Sequence, residues 1–320
     1  MSPLLRVVMV VAILAVLLSI AAGLIWYERR LLARFQDRLG PNRVGPFGLL
    51  QPLADVLKLL AKEDWVPPFA DRFLFVLAPT IVVVTVLFAF AVVPFTDRIV
   101  VADSNVGLLF VLGMLSLGVY SVTLGGWSSN SKYALIGGMR AAAQMISYEL
   151  PLGLSLLGVV LLAGSFRLTD IVEAQRAVPF AIVQPVGFAL FLVAGIAESR
   201  RIPFDLPEAE NELVAGYHTE YSAMKFALFF MGEYLDVTLL SSFATLLFLG
   251  GWLGPGLPGV VWFLLKMGIL ISVFIWVRSI LPRYRFDQLM ALGWKWMLPL
   301  ALVNVLATGA IALSLAQGGR

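Results

Sequence analysis

The sequence contains no cysteine and a single histidine in 320 residues. The first absence excludes disulfides, thiolate metal ligands and cysteine-held iron–sulfur clusters, and one histidine does not make a histidine-rich metal centre. Any redox cofactor therefore has to sit on a partner or arrive as a substrate. Charge is also scarce: Asp, Glu, Lys and Arg make up 13% of the chain, against 60% hydrophobic residues. There is no nucleic-acid signature, and 22 Phe in so apolar a chain read as lipid-facing bulk rather than a stacking platform. Internal repeats, low-complexity tracts and any soluble domain larger than a loop of about 45 residues are missing as well.

Long apolar runs are what the sequence has. A mean hydropathy of +0.92 exceeds what a globule of this size can hide in its interior, so the chain reads as an all-α polytopic membrane protein. Crossing a hydrocarbon core of roughly 30 Å takes about 20 residues. Eight runs are expected to cross, at 4–26, 73–95, 106–126, 142–164, 179–197, 226–250, 259–281 and 296–316. The first run continues to Trp26 and Tyr27 without a small-residue cleavage site and reads as a retained helix. Loops 27–72, 127–141, 198–225 and 282–295 carry sixteen Lys and Arg, while the opposite side carries five, including Arg6, Arg98 and Arg320. Basic loops stay in the cytoplasm, which puts both termini outside.

Loop 27–72 has organisation of its own. In "LLQPLADVLKLLAKED", Leu49, Leu50, Leu53, Val56, Leu57 and Leu60 recur at helical spacing, with Gln51, Asp55, Lys58 and Lys62 on the other face. This predicts an amphipathic helix in the interface plane. The preceding "RLGPNRVGPFG" holds three Gly and two Pro in eleven residues and reads as a shaped loop. The alternative is a passive connector anchored by lipid headgroups.

Charges at the bilayer centre cost roughly 2.5–3.5 kcal/mol each, so those that remain usually face a protein interior or a wet cavity. Five lie inside expected spans: Glu149, Glu233, Asp236, Lys266 and Arg278. Glu149 precedes Pro151 by two residues, where the helix is open to local disruption. Glu233 and Asp236 share a helix face, and Lys266 is a candidate partner for either. Snorkelling to the headgroups is the alternative, most of all for Arg278 near a helix end. Buried carboxylates with raised pKa values suit a proton relay.

The stretch Pro203 to Lys225, "PFDLPEAENELVAGYHTEYSAMK", crowds acids between two apolar runs. With a helix after Pro207, Asp205, Glu208 and Glu212 fall near one face and need protons, water or cations such as Arg200 and Arg201. A solvated acidic loop is the alternative, although "AGYHTEYSAM" is apolar for a free loop. His218, with an unperturbed pKa near 6.5, is the candidate proton contact; a lone histidine otherwise serves as a hydrogen-bonded structural residue.

Four segments are recognisable: "GPNRVGPFGLLQPLADVLKLLAKED", "ISYELPLGL", "ESRRIPFDLPEAENELVAGYHTEYSAMKFALFFMGEY" and "LPRYRFDQLMALGWK". In that order, over about residues 24 to 310, the chain resembles the H-type subunits of bacterial NADH-quinone oxidoreductase (respiratory complex I), whose mitochondrial counterpart is complex I subunit 1. The resemblance implies a subunit that joins the membrane arm to the peripheral arm, walls the quinone chamber and begins a chain of acids linking quinone reduction to proton pumping. It implies no catalytic redox centre, metal or cofactor in this chain: quinone is the substrate, and NADH, FMN and iron–sulfur clusters belong to partner subunits. The expected partners are other membrane-arm subunits, the quinone-proximal peripheral subunits and lipids of the bacterial inner membrane. Carried over by motif, Glu28, Arg29 and Asp55 belong to the quinone entry, and Arg201, Asp205, Glu208, His218, Arg283 and Arg285 to the chamber. Glu149, Glu210, Glu212, Glu220 and Glu233 fall on the proton route.

Two rivals remain at this level. One is the equivalent subunit of a membrane-bound hydrogenase or ferredoxin-driven complex, which the full "EAENELVAGYHTEYS" run disfavours. The other is a stand-alone secondary ion transporter, whose mark is an inverted repeat.

Overall fold

The computed structural model describes residues 3–97, 99–208 and 210–318. Arg98 and Arg320 lie outside the described residues, as do the side chains of Arg6 and Glu210. Helices dominate: α1 Pro3–Phe35, α2 Gln51–Ala61, α3 Arg72–Ala89, α4 Gly107–Ser128, α5 Lys132–Ala163, α6 Leu168–Ala174 and α7 Phe180–Val183 come first. Then follow α8 Pro185–Glu198, α9 Glu210–Leu213, α10 Ala223–Phe248, α11 Gly259–Ile280, α12 Phe286–Ala291 and α13 Leu298–Gly318, with wider π-helical turns over 292–297 joining the last two.

Seven of the described helical segments are long and apolar enough to cross a membrane. The segment expected over 179–197 is different. Proline cannot donate a backbone N–H and disfavours helical geometry in the residue before it. Pro185 accordingly splits the run at Gln184, leaving the four-residue α7 and the fourteen-residue α8. Two loops are shorter than expected, because α1 continues to Phe35 and α5 starts at Lys132, which places Glu28, Arg29 and Arg140 on helices. α5 runs through Pro151 without a break and ends at Gly164, whose left-handed backbone (φ +69°) lets its N–H reach the Val160 carbonyl at 2.8 Å. Asp71 starts α3 by accepting from the N–H groups of Phe73 and Leu74, both at 3.1 Å.

α10 is the central helix. Its most apolar window is 72% buried, against 11% for α1 and 17% for the last span. It packs on α3, α11, α1 and α8, while α4 bridges α3 to α5 and α5 leads on to α8 and α13. A central helix among other helices can carry hydroxyls where each finds an internal acceptor. Thr238, Ser242 and Thr245 bond back to the carbonyls of Tyr234, Thr238 and Ser241 at 2.7, 2.7 and 2.8 Å.

Lys266 pairs with neither Glu233 nor Asp236. Its ammonium donates to the carbonyls of Leu249, Gly251 and Leu253 at 2.7, 3.0 and 2.7 Å. The carbonyls of the turn that follows α10 need donors, and a cation there also meets the negative end of the helix dipole. Lys266→Met removes all three bonds, and a hydrogen bond to a charged group contributes about 1.5–3 kcal/mol. The purified assembly carrying it is expected to lose activity on heating at a temperature several degrees lower; an unchanged inactivation curve would show that the carbonyls find other donors.

The amphipathic helix is present as α2. Leu53, Leu57 and Leu60 are exposed on its outer face, where an interfacial helix meets acyl chains. Arg29 ties α1 to α2 through Asp55 at 2.8 Å, and Gln51 donates to the same carboxylate at 3.0 Å.

Candidate functional site

The segment after α8 turns back into the protein. Arg200 takes a left-handed backbone (φ +56°), and the buried Gln144 amide of α5 donates to the carbonyls of Ala197 and Phe204, both at 2.8 Å. That clamp brings residues 198–208 under the bundle. Gly137 and Gly216 allow the next close approach: a Cβ on Gly137 would lie 2.6 Å from the Tyr217 nitrogen. Tyr217 is thereby seated on α5 and fully buried.

Two charge clusters result. In the first, Glu28 of α1 is 3% exposed and accepts from both Arg201 and Arg278. Arg201 also lies over the Tyr234 ring, 4.2 Å from its centroid, a cation–π contact that replaces part of the lost hydration. Arg278, 34% exposed in the last turn of α11, pairs with this carboxylate 250 positions away in sequence. Two guanidinium groups on one carboxylate leave this cluster with a net positive charge.

The second cluster is acidic. Arg200 reaches Asp236 at 3.4 Å and the Tyr217 hydroxyl at 3.3 Å, and that hydroxyl donates to Glu233 at 3.2 Å. Glu208 approaches Glu233 from the loop, with His218 Nδ1 3.7 Å from its carboxylate. Asp205 accepts from Arg283 at 2.8 Å, and its second oxygen is buried without a partner. Burial pushes the Asp205 carboxyl up to about 6, with Arg283 opposing and Glu233 adding to the rise. Burial first, then Glu233 and Asp205, hold Glu208 well above the usual carboxylate range. Farther in, Glu198 ends α8 with one carboxylate oxygen buried and unpartnered, and Glu149 on α5 accepts from Ser116 of α4. Carboxyls then run from the loop into the bundle in the order Glu208, Glu233, Asp236, Glu198 and Glu149.

A 180 Å³ cleft opens beside these clusters between α1, α2 and α10. Ala21 and Ile25, Pro52 and Val56, and Phe230 and Met231 form its walls, and Asp55 supplies its charged group. A narrow apolar cleft with one polar rim suits a flat ring on a hydrocarbon tail.

A family model described as NADH dehydrogenase matches residues 7–309. The chain is 58% identical over 310 residues to an H-type subunit of the NADH-quinone oxidoreductase of Syntrophobacter fumaroxidans, covering 94% of each chain. It is 56% identical over 304 residues to the corresponding protein of Rhodopseudomonas palustris, with 95% of each covered, and 57% over 307 residues to that of Geobacter metallireducens, with 93% of each covered. The chain belongs to the family of NADH-quinone oxidoreductase H-type subunits.

Within this family's fold, several carried-over residues converge and others do not. Glu28 and Arg201 meet, as do Asp205 and Arg283, and Glu208 and His218. Arg285 stands apart on the surface, paired with Asp287 at 2.7 Å. Glu220 is partly exposed, and the side chain of Glu210 lies outside the described residues. The expected shared face of Asp205, Glu208 and Glu212 is not formed, since the helix covers only Glu210–Leu213. Instead Asp205 pairs with Arg283 and the exposed Glu212 with Arg140 at 2.6 Å, while Glu208 lies against Glu233 with the His218 ring 3.7 Å away. Arg200 and Arg201, expected to serve the loop acids, reach Asp236 and Glu28. Glu198, Arg200, Asp236 and Arg278 belong to the clusters and were not among the site residues carried over by motif. Their signal was cost, because charges in an apolar setting persist only where something holds them.

Proposed function

We propose that the chain is the membrane subunit of a proton-translocating NADH:quinone oxidoreductase, forming the membrane wall of the quinone chamber and passing the charge change of quinone reduction to buried acids. The observation that carries this reading is the file of carboxyls from Glu208 through Glu233 and Asp236 to Glu198 and Glu149, which begins in a loop and ends between helices α4 and α5. A quinone that takes up two electrons needs two protons. Asp205 and Glu208, whose proton affinity burial raises, respond to that demand by releasing or exchanging protons. Asp205 and Glu208 supply the loop end of the file, and Glu233 and Glu149 the intramembrane end.

The cleft between α1, α2 and α10 is the quinone entry in this reading, with Arg29 and Asp55 fixing α2 against α1 at its edge. The basic loops face the cytoplasm, both termini face the other side of the inner membrane, and the peripheral subunits that hold NADH, FMN and iron–sulfur clusters dock on the loop that contains Glu212. A tagged chain purified gently from its own membranes is expected to bring NADH:quinone reductase activity with it, and a photoreactive quinone is expected to label α1, α2 or α10. Isolation as a lone subunit that transports ions by itself would overturn the reading.

A further inference from the structure

Arg200 is the guanidinium at the centre of the acidic cluster. Its side chain is 1% exposed and lies over the Tyr217 ring, 5.6 Å from its centroid, yet its two hydrogen bonds are long, 3.4 Å to Asp236 and 3.3 Å to the Tyr217 hydroxyl, and its Nε is buried without a partner. The backbone at Arg200 is left-handed, a conformation that is unfavourable for a non-glycine residue and persists only where the surroundings impose it. Arg200, Asp236 and Glu198 line one cavity of about 10 Å³, and one carboxylate oxygen of Glu198 is also buried without a partner. A buried guanidinium ordinarily has its donors satisfied by bidentate pairing. This one is held loosely between acids on two elements.

We propose that Arg200 is a positioning residue of the acid file: from its bend it places a cation between Glu198 on one side and Asp236 and Glu233 on the other, with Arg201 the next cation acting on Asp236 and Glu233, and Asp236 sets how much of the Arg200 charge the two glutamates feel. Arg200 touches neither glutamate with a hydrogen bond, so it acts through the field and through Tyr217, which links it to Glu233. The charged and titratable groups facing it are Glu198 at the end of α8, Glu233 and Asp236 on α10, and Glu208 and Tyr217 in the loop; Glu149 on α5 stands beyond Glu198. With Arg200 gone, the remaining acids hold protons more tightly. With Asp236 neutral, Arg200 is uncompensated and they hold protons less tightly. The two changes therefore push in opposite directions, which loss of packing would not do. This inference rests on the acids being a proton route.

The test compares membranes carrying the whole enzyme with Arg200→Met, Arg200→Lys, Asp236→Asn and the Arg200→Met/Asp236→Asn double variant. NADH oxidation with an artificial acceptor reports assembly, and the pH profile of quinone-linked oxidation reports the acids. Arg200→Met is expected to move the apparent pKa of that profile upward and Asp236→Asn downward, each by about one pH unit, a tenfold change in proton affinity. Arg200→Lys and the double variant are expected to return close to the parent profile. Should Arg200→Met fail to assemble, Asp236→Asn and Arg200→Lys decide the matter, since Asn keeps the shape of Asp and Lys keeps the charge. Shifts of the same sign, or an unmoved profile in assembled enzyme, overturn the assignment. A Glu233→Gln control separates the two claims: if it also leaves quinone-linked activity intact, the proton-route reading fails, and if it abolishes that activity while the profiles stay put, only the role of Arg200 fails.

Discussion

Glu28→Gln is expected to remove the subunit from the membrane or to leave it in a form that cannot assemble. The variant keeps the shape of the side chain and deletes the carboxylate that is hydrogen-bonded to both Arg201 and Arg278. Removing one partner from a buried ion pair costs about 3–5 kcal/mol, since the charge left behind stays desolvated. Here two guanidinium groups are left facing one another, and Arg201 already has Nε and Nη2 buried without partners. The loss lies at the junction of α1, α10, α11 and the loop after α8, so it disconnects four elements at once. Blotting membranes for the subunit and assaying NADH oxidation with an artificial acceptor give the readout. A fully assembled Glu28→Gln enzyme would show that water or lipid headgroups reach the cluster and that its burial is not maintained. Arg278→Met is the milder comparison, because Arg201 still matches Glu28 in charge.

Gly216→Ala has the second large expected effect, by a different cause. Gly216 has φ +59°, and an added Cβ would lie 1.7 Å from the Pro207 carbonyl oxygen and 2.7 Å from its carbon. Backbone atoms cannot swing aside as a flexible side chain does, so residues 207–208 and 216–217 have to separate. That separation moves Glu208 away from Glu233 and lifts Tyr217 from α5, removing the hydroxyl that joins Arg200 to Glu233. Quinone-linked activity is expected to be lost, while Gly153→Ala, where nothing lies within 4 Å of the new Cβ, is expected to be tolerated. Normal quinone reduction by Gly216→Ala would mean that the loop in the working enzyme does not take this conformation.

The sequence and the structure agree where the cause is local and part where it is long-range. Apolar runs of about 20 residues reveal a span because the bilayer imposes its thickness on the chain itself. Pro185 is equally visible in the sequence, and its effect on the preceding Gln184 is the local reason that a broken segment stands in place of one over 179–197. The leucine pattern of α2 was legible for the same reason, its period being that of a helix at an interface. The pairing of charges was not legible. Arg201 meets Glu28 across 173 positions, Arg283 meets Asp205 across 78, and no periodicity links such residues. Composition marked Glu233, Asp236, Lys266 and Arg278 as expensive, yet the choice of partner depends on how helices pack. Lys266 shows the limit most clearly, since its acceptors are backbone carbonyls that no side-chain pattern discloses.

The central claim is that the loop acids and the intramembrane acids work as one unit, with Glu208 at their junction. Its most direct test is Glu208→Gln in membranes, measured three ways: NADH oxidation with an artificial acceptor, NADH oxidation with quinone, and proton translocation. Glu208 faces Glu233 and Asp205 and carries no strong ion pair whose loss would unfold the loop. Artificial-acceptor oxidation is expected to stay near its parent level while quinone reduction and proton translocation fall together by roughly tenfold or more. Parent levels of all three in the assembled variant would contradict the account.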